Sequence, residues 1–180
     1  MNSPHVVFYR SMNLGHAGSP DRATLEGALS AAGARGVKSF QTNGTVLFDA
    51  DDPLGVVAEA AKTLESAAGY TEPALVRGLD LLVDVLAGDP FDGHEDSRTY
   101  RKTFTFFDGG RSVELKLPWT NSKDDVDIVE LREGLALSLI RKEKSNAGSP
   151  TAEIERMFGV PATTRTLGTI ERLVKAAGRG

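Results

Sequence analysis

Cysteine is absent from the 180-residue chain, which excludes thiol nucleophiles, disulfides and cysteine-ligated zinc whatever the fold. Histidine occurs only three times and no Gly-x-Ser-x-Gly elbow is present, so a serine triad has almost nothing to be built from. No apolar run approaches the ~20 residues that a bilayer crossing needs, and residues 1–9 lack the basic segment and long apolar stretch of a secretory leader. These absences lead to the expectation of a soluble, cytoplasmic chain with no membrane partner.

What is present is ordinary for a globular protein. Apolar residues at 40% and charged residues at 26% exclude disordered and collagen-like classes. The length suits one large domain or two small ones with a genuine core. A formal net charge of −4 hides an asymmetry: residues 141–180 hold eight basic and four acidic side chains and carry +4, which leaves −8 on residues 1–140. Attraction for an anion is therefore local to the C-terminal portion, and a general nucleic-acid coat is disfavoured. Solvated helix faces account for most of that charge equally well.

The first half reads as strand, helix, strand, turn, strand, helix, strand. Residues 5–10, His-Val-Val-Phe-Tyr-Arg, form an apolar run of strand length followed by a polar, glycine-containing loop. Ser19-Pro20 predicts a helix start, the hydroxyl capping a free amide and the proline sitting in the first turn. Leu25, Ala28, Leu29 and Ala32 then make one apolar stripe that stops at Gly33. Strands at 37–42 and 45–49 flank Asn43-Gly44, the dipeptide of a two-residue hairpin turn. Asp52-Pro53 opens a second helix with Val57, Ala60, Ala61, Leu64 and Ala68 on one face, residues 73–77 give a fourth strand, and Leu79, Leu82, Val83 and Leu86 mark a third helix ending at Gly88. This order predicts a split βαβ arrangement, an antiparallel sheet with helices on one face.

The polar loop at 89–98 is the expected boundary between a first subdomain, 1–88, and a second, 99–180. Beyond it, strands at 99–107 and 113–117 flank Asp108-Gly109-Gly110, and strands at 128–131 and 135–140 flank a turn containing Gly134, so two hairpins are expected. A loop at 142–148, a short helix at 150–158, a segment at 160–166 and a last helix with Ile170, Leu173, Val174 and Ala177 inward complete the chain. Ala17-Gly18-Ser19-Pro20 and Ala147-Gly148-Ser149-Pro150 are identical, and each follows a strand and loop and opens a helix. The echo fits a duplicated half, and it equally fits Gly-Ser-Pro as a convenient helix start.

Three segments carry a family likeness: Arg10-Ser11-Met12-Asn13-Leu14-Gly15, Phe40-Gln41-Thr42-Asn43-Gly44-Thr45-Val46-Leu47-Phe48, and Gly159-Val160-Pro161-Ala162-Thr163-Thr164-Arg165. In that order, and over nearly the whole chain, they resemble the bacterial domain of unknown function family 1697, whose members share Arg-x-Ile-Asn-Val-Gly-Gly, Gln-Ser-Gly-Asn and Arg-Asn-Trp-Asn-Thr-Val segments. The resemblance implies two ferredoxin-like subdomains in the α+β class and no established activity. The chain departs from the family with Asn43-Gly44 for Gly-Asn, with Thr166-Leu167-Gly168 for Asn-Trp-Asn, and with His16 for the second glycine after the first strand. Residues 111–125 also read as strand and loop where the family places a helix, so the second subdomain is expected to be a related but irregular α+β unit.

Arg10, Asn13 and His16, in the loop after the first strand and ahead of a helix start, form the best candidate ligand site, with Lys144 and Arg165 joining them. Capping and loop hydrogen bonds explain Arg10 and Asn13 as well. Asp89, Asp92 and His94-Glu95-Asp96 have metal-compatible side chains at no common ligand spacing, so no metal is expected, and no motif names a cofactor. The acidic runs at 49–52 and 124–127 read as turn and cap chemistry, and Trp119 beside alternating apolar residues reads as core. The expected function is a binding module, holding a small anionic or phosphorylated ligand or a short nucleic-acid segment between the subdomains. The alternative is an enzyme acting on an anionic substrate at the same loop, with His16 as its proton carrier.

Overall fold

The computed structural model describes residues 3–109 and 111–179. The chain divides into two compact units, Met1–Val83 and Asp84–Gly180, and both mix helices with an antiparallel sheet. The fold class is α+β, as the sequence indicates.

The first unit runs β1 (His5–Tyr9), α1 (Arg22–Ala31), β2 (Arg35–Phe40), β3 (Thr45–Asp49), α2 (Pro53–Ala68) and β4 (Ala74–Gly78), and the chain then enters α3 (Leu79–Ala87). The sheet order is β2-β3-β1-β4, every pairing antiparallel, so β3 is inserted between β1 and β2 as in a split βαβ unit. Val7, Tyr9, Val46 and Phe48 alternate onto the face that meets Leu25, Leu29, Val57 and Leu64 from the two helices. Each such side chain removed from water contributes roughly 1.5–3 kcal/mol. Burial also pushes the Tyr9 phenol well above its usual range, which keeps it neutral.

Two local expectations need correction. Ser19 does not cap α1: its hydroxyl accepts from the Asn13 amide at 2.9 Å, and Asp21 is the cap, accepting from the Thr24 amide at 2.7 Å. The loop amide reaches the serine first, so the helix begins later and with a stronger, charged acceptor. Asn43-Gly44 is not a two-residue turn either. Phe40 pairs with Thr45, and the connection spans residues 41–44 with positive φ at Gln41 and Gly44. A side chain on Gly44 would put its Cβ 2.8 Å from the Tyr9 Cβ and 2.9 Å from the Met12 Cβ, so glycine is required for close approach as well as for φ.

The second unit contains β5 (Thr99–Phe107), β6 (Trp119–Thr120), β7 (Val126–Arg132), β8 (Leu135–Glu143), β9 (Asn146–Ala147), α4 (Pro150–Phe158), β10 (Ala162–Thr166) and α5 (Leu167–Ala176). Its sheet order is β10-β5-β8-β7-β6, with β9 paired to the end of β8. The β7–β8 hairpin is the one the sequence indicates. The other hairpin does not form: residues 113–117 make no strand, because β8 and β10 already occupy the two edges of β5. Gly110, in the expected turn, lies outside the described residues. The alternation is still used, since Val113 and Leu115 pack half-buried on the cluster of Phe107, Ile128 and Phe158. Helix is absent from the described part of 111–125, in line with the irregularity expected there.

Set side by side, the two sheets repeat. Without the short β6 and β9, the order β10-β5-β8-β7 matches β4-β1-β3-β2 position for position. On that correspondence α4 answers to α2, not to α1. Asp52-Pro53 and Ser149-Pro150 are equivalent helix starts, each side chain capping an amide, and Gly69 and Gly159 are equivalent left-handed helix stops. The repeat is therefore real in topology, while the Ala-Gly-Ser-Pro echo is not its marker. The two echo glycines differ in role: Gly18 has φ +77° and open space around it, whereas a Cβ on Gly148 would lie 2.2 Å from the Asp125 carbonyl oxygen. Gly148→Ala should cost about 2–3 kcal/mol in urea denaturation through overpacking against backbone, and Gly18→Ala about 1 kcal/mol through left-handed strain alone. Equal costs would remove the distinction.

Candidate functional site

In the first unit the loop between β1 and α1 folds onto the 41–44 connection. The Leu14 amide donates to the Thr42 carbonyl at 2.8 Å and the Tyr9 amide to the Gly44 carbonyl at 2.9 Å. Arg10, Asn13 and His16 thus share one loop, yet much of its polarity is spent internally. The Arg10 guanidinium lies 2.8 Å from Glu72 Oε2, and the Arg10 carbonyl accepts from the Tyr70 hydroxyl at 2.6 Å. The Asn13 carbonyl accepts from the His16 amide at 3.1 Å, and the His16 carbonyl from the Ser19 amide at 3.1 Å; both side chains are exposed. The start of α1 already holds an anion of its own. The Thr24 amide keeps the Asp21 carboxyl below the usual carboxylate range, so the positive end of the helix faces Asp21.

In the second unit Arg165 and Lys144 have different surroundings. Arg165 is only 5% exposed, and its guanidinium donates to Thr163 Oγ1 at 2.6 Å and to the Thr164 carbonyl at 3.0 Å. It clamps its own strand, which pairs Arg165 opposite Phe104. Lys144 stands exposed in the turn between β8 and β9 with φ +55°. It lines an open basin of about 1500 Å³, together with Arg98, Tyr100, Lys123, Arg141 and Lys142; Arg165 is not part of that lining.

The basin is built from an acidic turn held rigidly in place. Asn121, only 6% exposed, accepts from the amides of Asp125 and Val126 at 3.0 Å each, while its own amide donates to Asp125 at 2.7 Å and to Glu153 at 3.0 Å. Burial works to raise the Glu153 carboxyl, but the Asn121 amide and the neighbouring Arg156 outweigh it, and the group sits below the ordinary carboxylate range. Arg141 grips Asp127 with both guanidinium nitrogens, Thr120 donates to the same carboxylate at 2.6 Å, and Asp124 bridges Arg141 at 3.2 Å and Arg98 at 3.0 Å. Both arginines are therefore compensated. Lys142 and Lys144 are not: among the described residues neither has an ion-pair partner. Beside them Tyr100 is 37% exposed, with the Arg101 guanidinium 4.1 Å and the Lys142 ammonium 4.9 Å from its ring centre.

Sequence reasoning picked out Lys144 and missed Tyr100, Lys142 and the Asp124–Arg141 framework. The one local signal is the aromatic among cations at 98–102, Arg-Thr-Tyr-Arg-Lys. The expected metal-compatible residues serve elsewhere, Glu95 pairing with Lys102 at 3.0 Å and Asp96 with Arg98 at 3.5 Å. Among the described residues no group of three or more His, Asp or Glu side chains is placed to hold a metal ion, and no helix is long and apolar enough to cross a membrane.

Two antiparallel sheets of repeated topology, each carrying helices, place the chain in the α+β class. The family described as "Protein of unknown function (DUF1697)" matches residues 2–134, and the chain belongs to that family. No curated protein matches it. Among solved structures it is similar to a conserved bacterial protein from Streptococcus pneumoniae, with a TM-score of 0.62 and 16% identity over 97% of this chain and 98% of that one. At that identity the likeness establishes fold alone.

The capped loop makes a pH prediction. Asp21 is depressed in the folded state, so the stability it adds is present above its unfolded pKa and lost as pH falls through the lower folded value. Asparagine caps as well but does not titrate, so Asp21→Asn should show a smaller fall in urea midpoint than the wild type between about pH 5 and about pH 2. Parallel curves would show that Asp21 contributes no such linkage.

Proposed function

We propose that the protein is a binding module for a small phosphorylated or otherwise anionic ligand, seated in the basin beside Lys144. One observation carries this reading. In a chain of net charge −4, Lys123, Lys142 and Lys144 line a cavity whose two arginines are already paired, have no ion-pair partner among the described residues, and stand next to an exposed aromatic ring. An anion there meets free ammonium groups without displacing an existing carboxylate, and the ring offers an apolar wall to the rest of the molecule. Asp124 and Asp125 oppose long polyanions, which favours a small ligand over an extended nucleic-acid strand. Within this reading Arg10, Asn13 and His16 form a separate, weaker anion contact, and Arg165 has a supporting role in its strand. Catalysis has less behind it, since no histidine lines the basin among the described residues.

Isothermal titration calorimetry with pyrophosphate, a nucleoside triphosphate and a short single-stranded oligonucleotide tests the proposal. At least one of the first two should bind saturably and more weakly as salt rises, and the Lys142→Ala, Lys144→Ala double variant should lose about tenfold in affinity, with Arg10→Ala unchanged. Binding by the oligonucleotide alone would move the assignment to nucleic acid. No binding by any probe, or equal binding by the double variant, would remove the site.

A further inference from the structure

Residues 111–117, Arg-Ser-Val-Glu-Leu-Lys-Leu, stand in chain order where α1 stands in the first unit, and they form neither helix nor strand, with a bend at Leu117. Among the described residues their backbone amides and carbonyls make no hydrogen bond. Val113 and Leu115 turn inward onto the Phe107 and Ile128 cluster, whereas Glu114 and Lys116 are exposed without an ion-pair partner among the described residues and Leu117 is 38% exposed. The segment is a strand in side-chain pattern with a ladder left unmade, the kind of surface that pairs with another extended chain.

We infer that this segment pairs antiparallel with the same segment of a second copy of the chain, about a two-fold axis at Leu115. The charge pattern selects the occupant and the register. With Leu115 opposite Leu115, Glu114 of each copy faces Lys116 of the other, twice, and Val113 faces Leu117. A shift that sets Glu114 opposite Glu114 brings like charges together and loses both ion pairs, and a parallel in-register pairing does the same at Glu114 and at Lys116. A strand pair of this size falls well short of the ~800 Å² per partner that stable interfaces bury, so the dimer is weak, with a dissociation constant on the order of 100 µM. The inference does not depend on the basin described above, which lies on other residues.

Sedimentation equilibrium of the full chain between about 10 µM and about 1 mM tests it. The wild type should show a monomer–dimer equilibrium, Glu114→Lys and Lys116→Glu should each weaken it at least about tenfold, and the double swap, which restores both cross-strand pairs in reverse, should recover it. Both positions are exposed, and far-UV circular dichroism checks that each variant is folded. A wild type that stays monomeric to the highest concentration would overturn the inference, as would single swaps that leave the dimer unchanged or a double swap that fails to restore it.

Discussion

β1 donates and accepts along both of its edges, to β3 on one side and β4 on the other, and β5 does the same between β8 and β10. A buried backbone polar group left without a partner costs about as much as a lost hydrogen bond, so the two central strands dictate where every other strand can lie. The consequence is clearest at residues 113–117. Their alternation is that of a strand, but the edge of β5 that a hairpin would use belongs to β8. The segment keeps its inward face on the core and leaves its ladder open.

The same logic separates what could be read from the chain and what could not. Helix starts are local, and they were legible wherever one side chain satisfied one neighbouring amide: Asp52-Pro53 and Ser149-Pro150 both do what their chemistry implies. Ser19 misled because a second amide, Asn13, competed for its hydroxyl across the loop. Asn43-Gly44 misled because Gly44 answers to Tyr9 and Met12, which reach it from another part of the chain. The basin was nearly opaque. Arg98 meets Asp124, and Arg141 meets Asp127, only after β5, β7 and β8 are brought into register, and no spacing within the sequence encodes that convergence. Lys144 was legible only as a cation in a loop.

Charge in this protein is mostly cancelled where it is buried and left standing where it is exposed. Arg141 and Asp127 are both largely withdrawn from water, and each alone would be an uncompensated charge of considerable cost, so their mutual grip and the Thr120 hydroxyl belong together. The exposed pair of Lys62 with Glu59 contributes ~0.5 kcal/mol at most. Among the described residues Lys123, Lys142 and Lys144 have no ion-pair partner, and their concentration at one basin is what gives that place its chemical character.

The internal repeat gives a physical reason for the irregularity of the second unit. In the first, α1 covers one half of the sheet face with Leu25 and Leu29, and a helix satisfies its own backbone. In the second, the non-helical chain through Val113, Leu115 and Trp119 covers the corresponding apolar surface with half-buried side chains. An extended segment can bury apolar groups as a helix does, but it cannot satisfy its own amides and carbonyls, which must turn to water, to another strand or to another molecule. Replacing a helix by a strand-like cover thus preserves the core while creating an open edge, and the alternating charges at Glu114 and Lys116 decide what that edge accepts and what it repels.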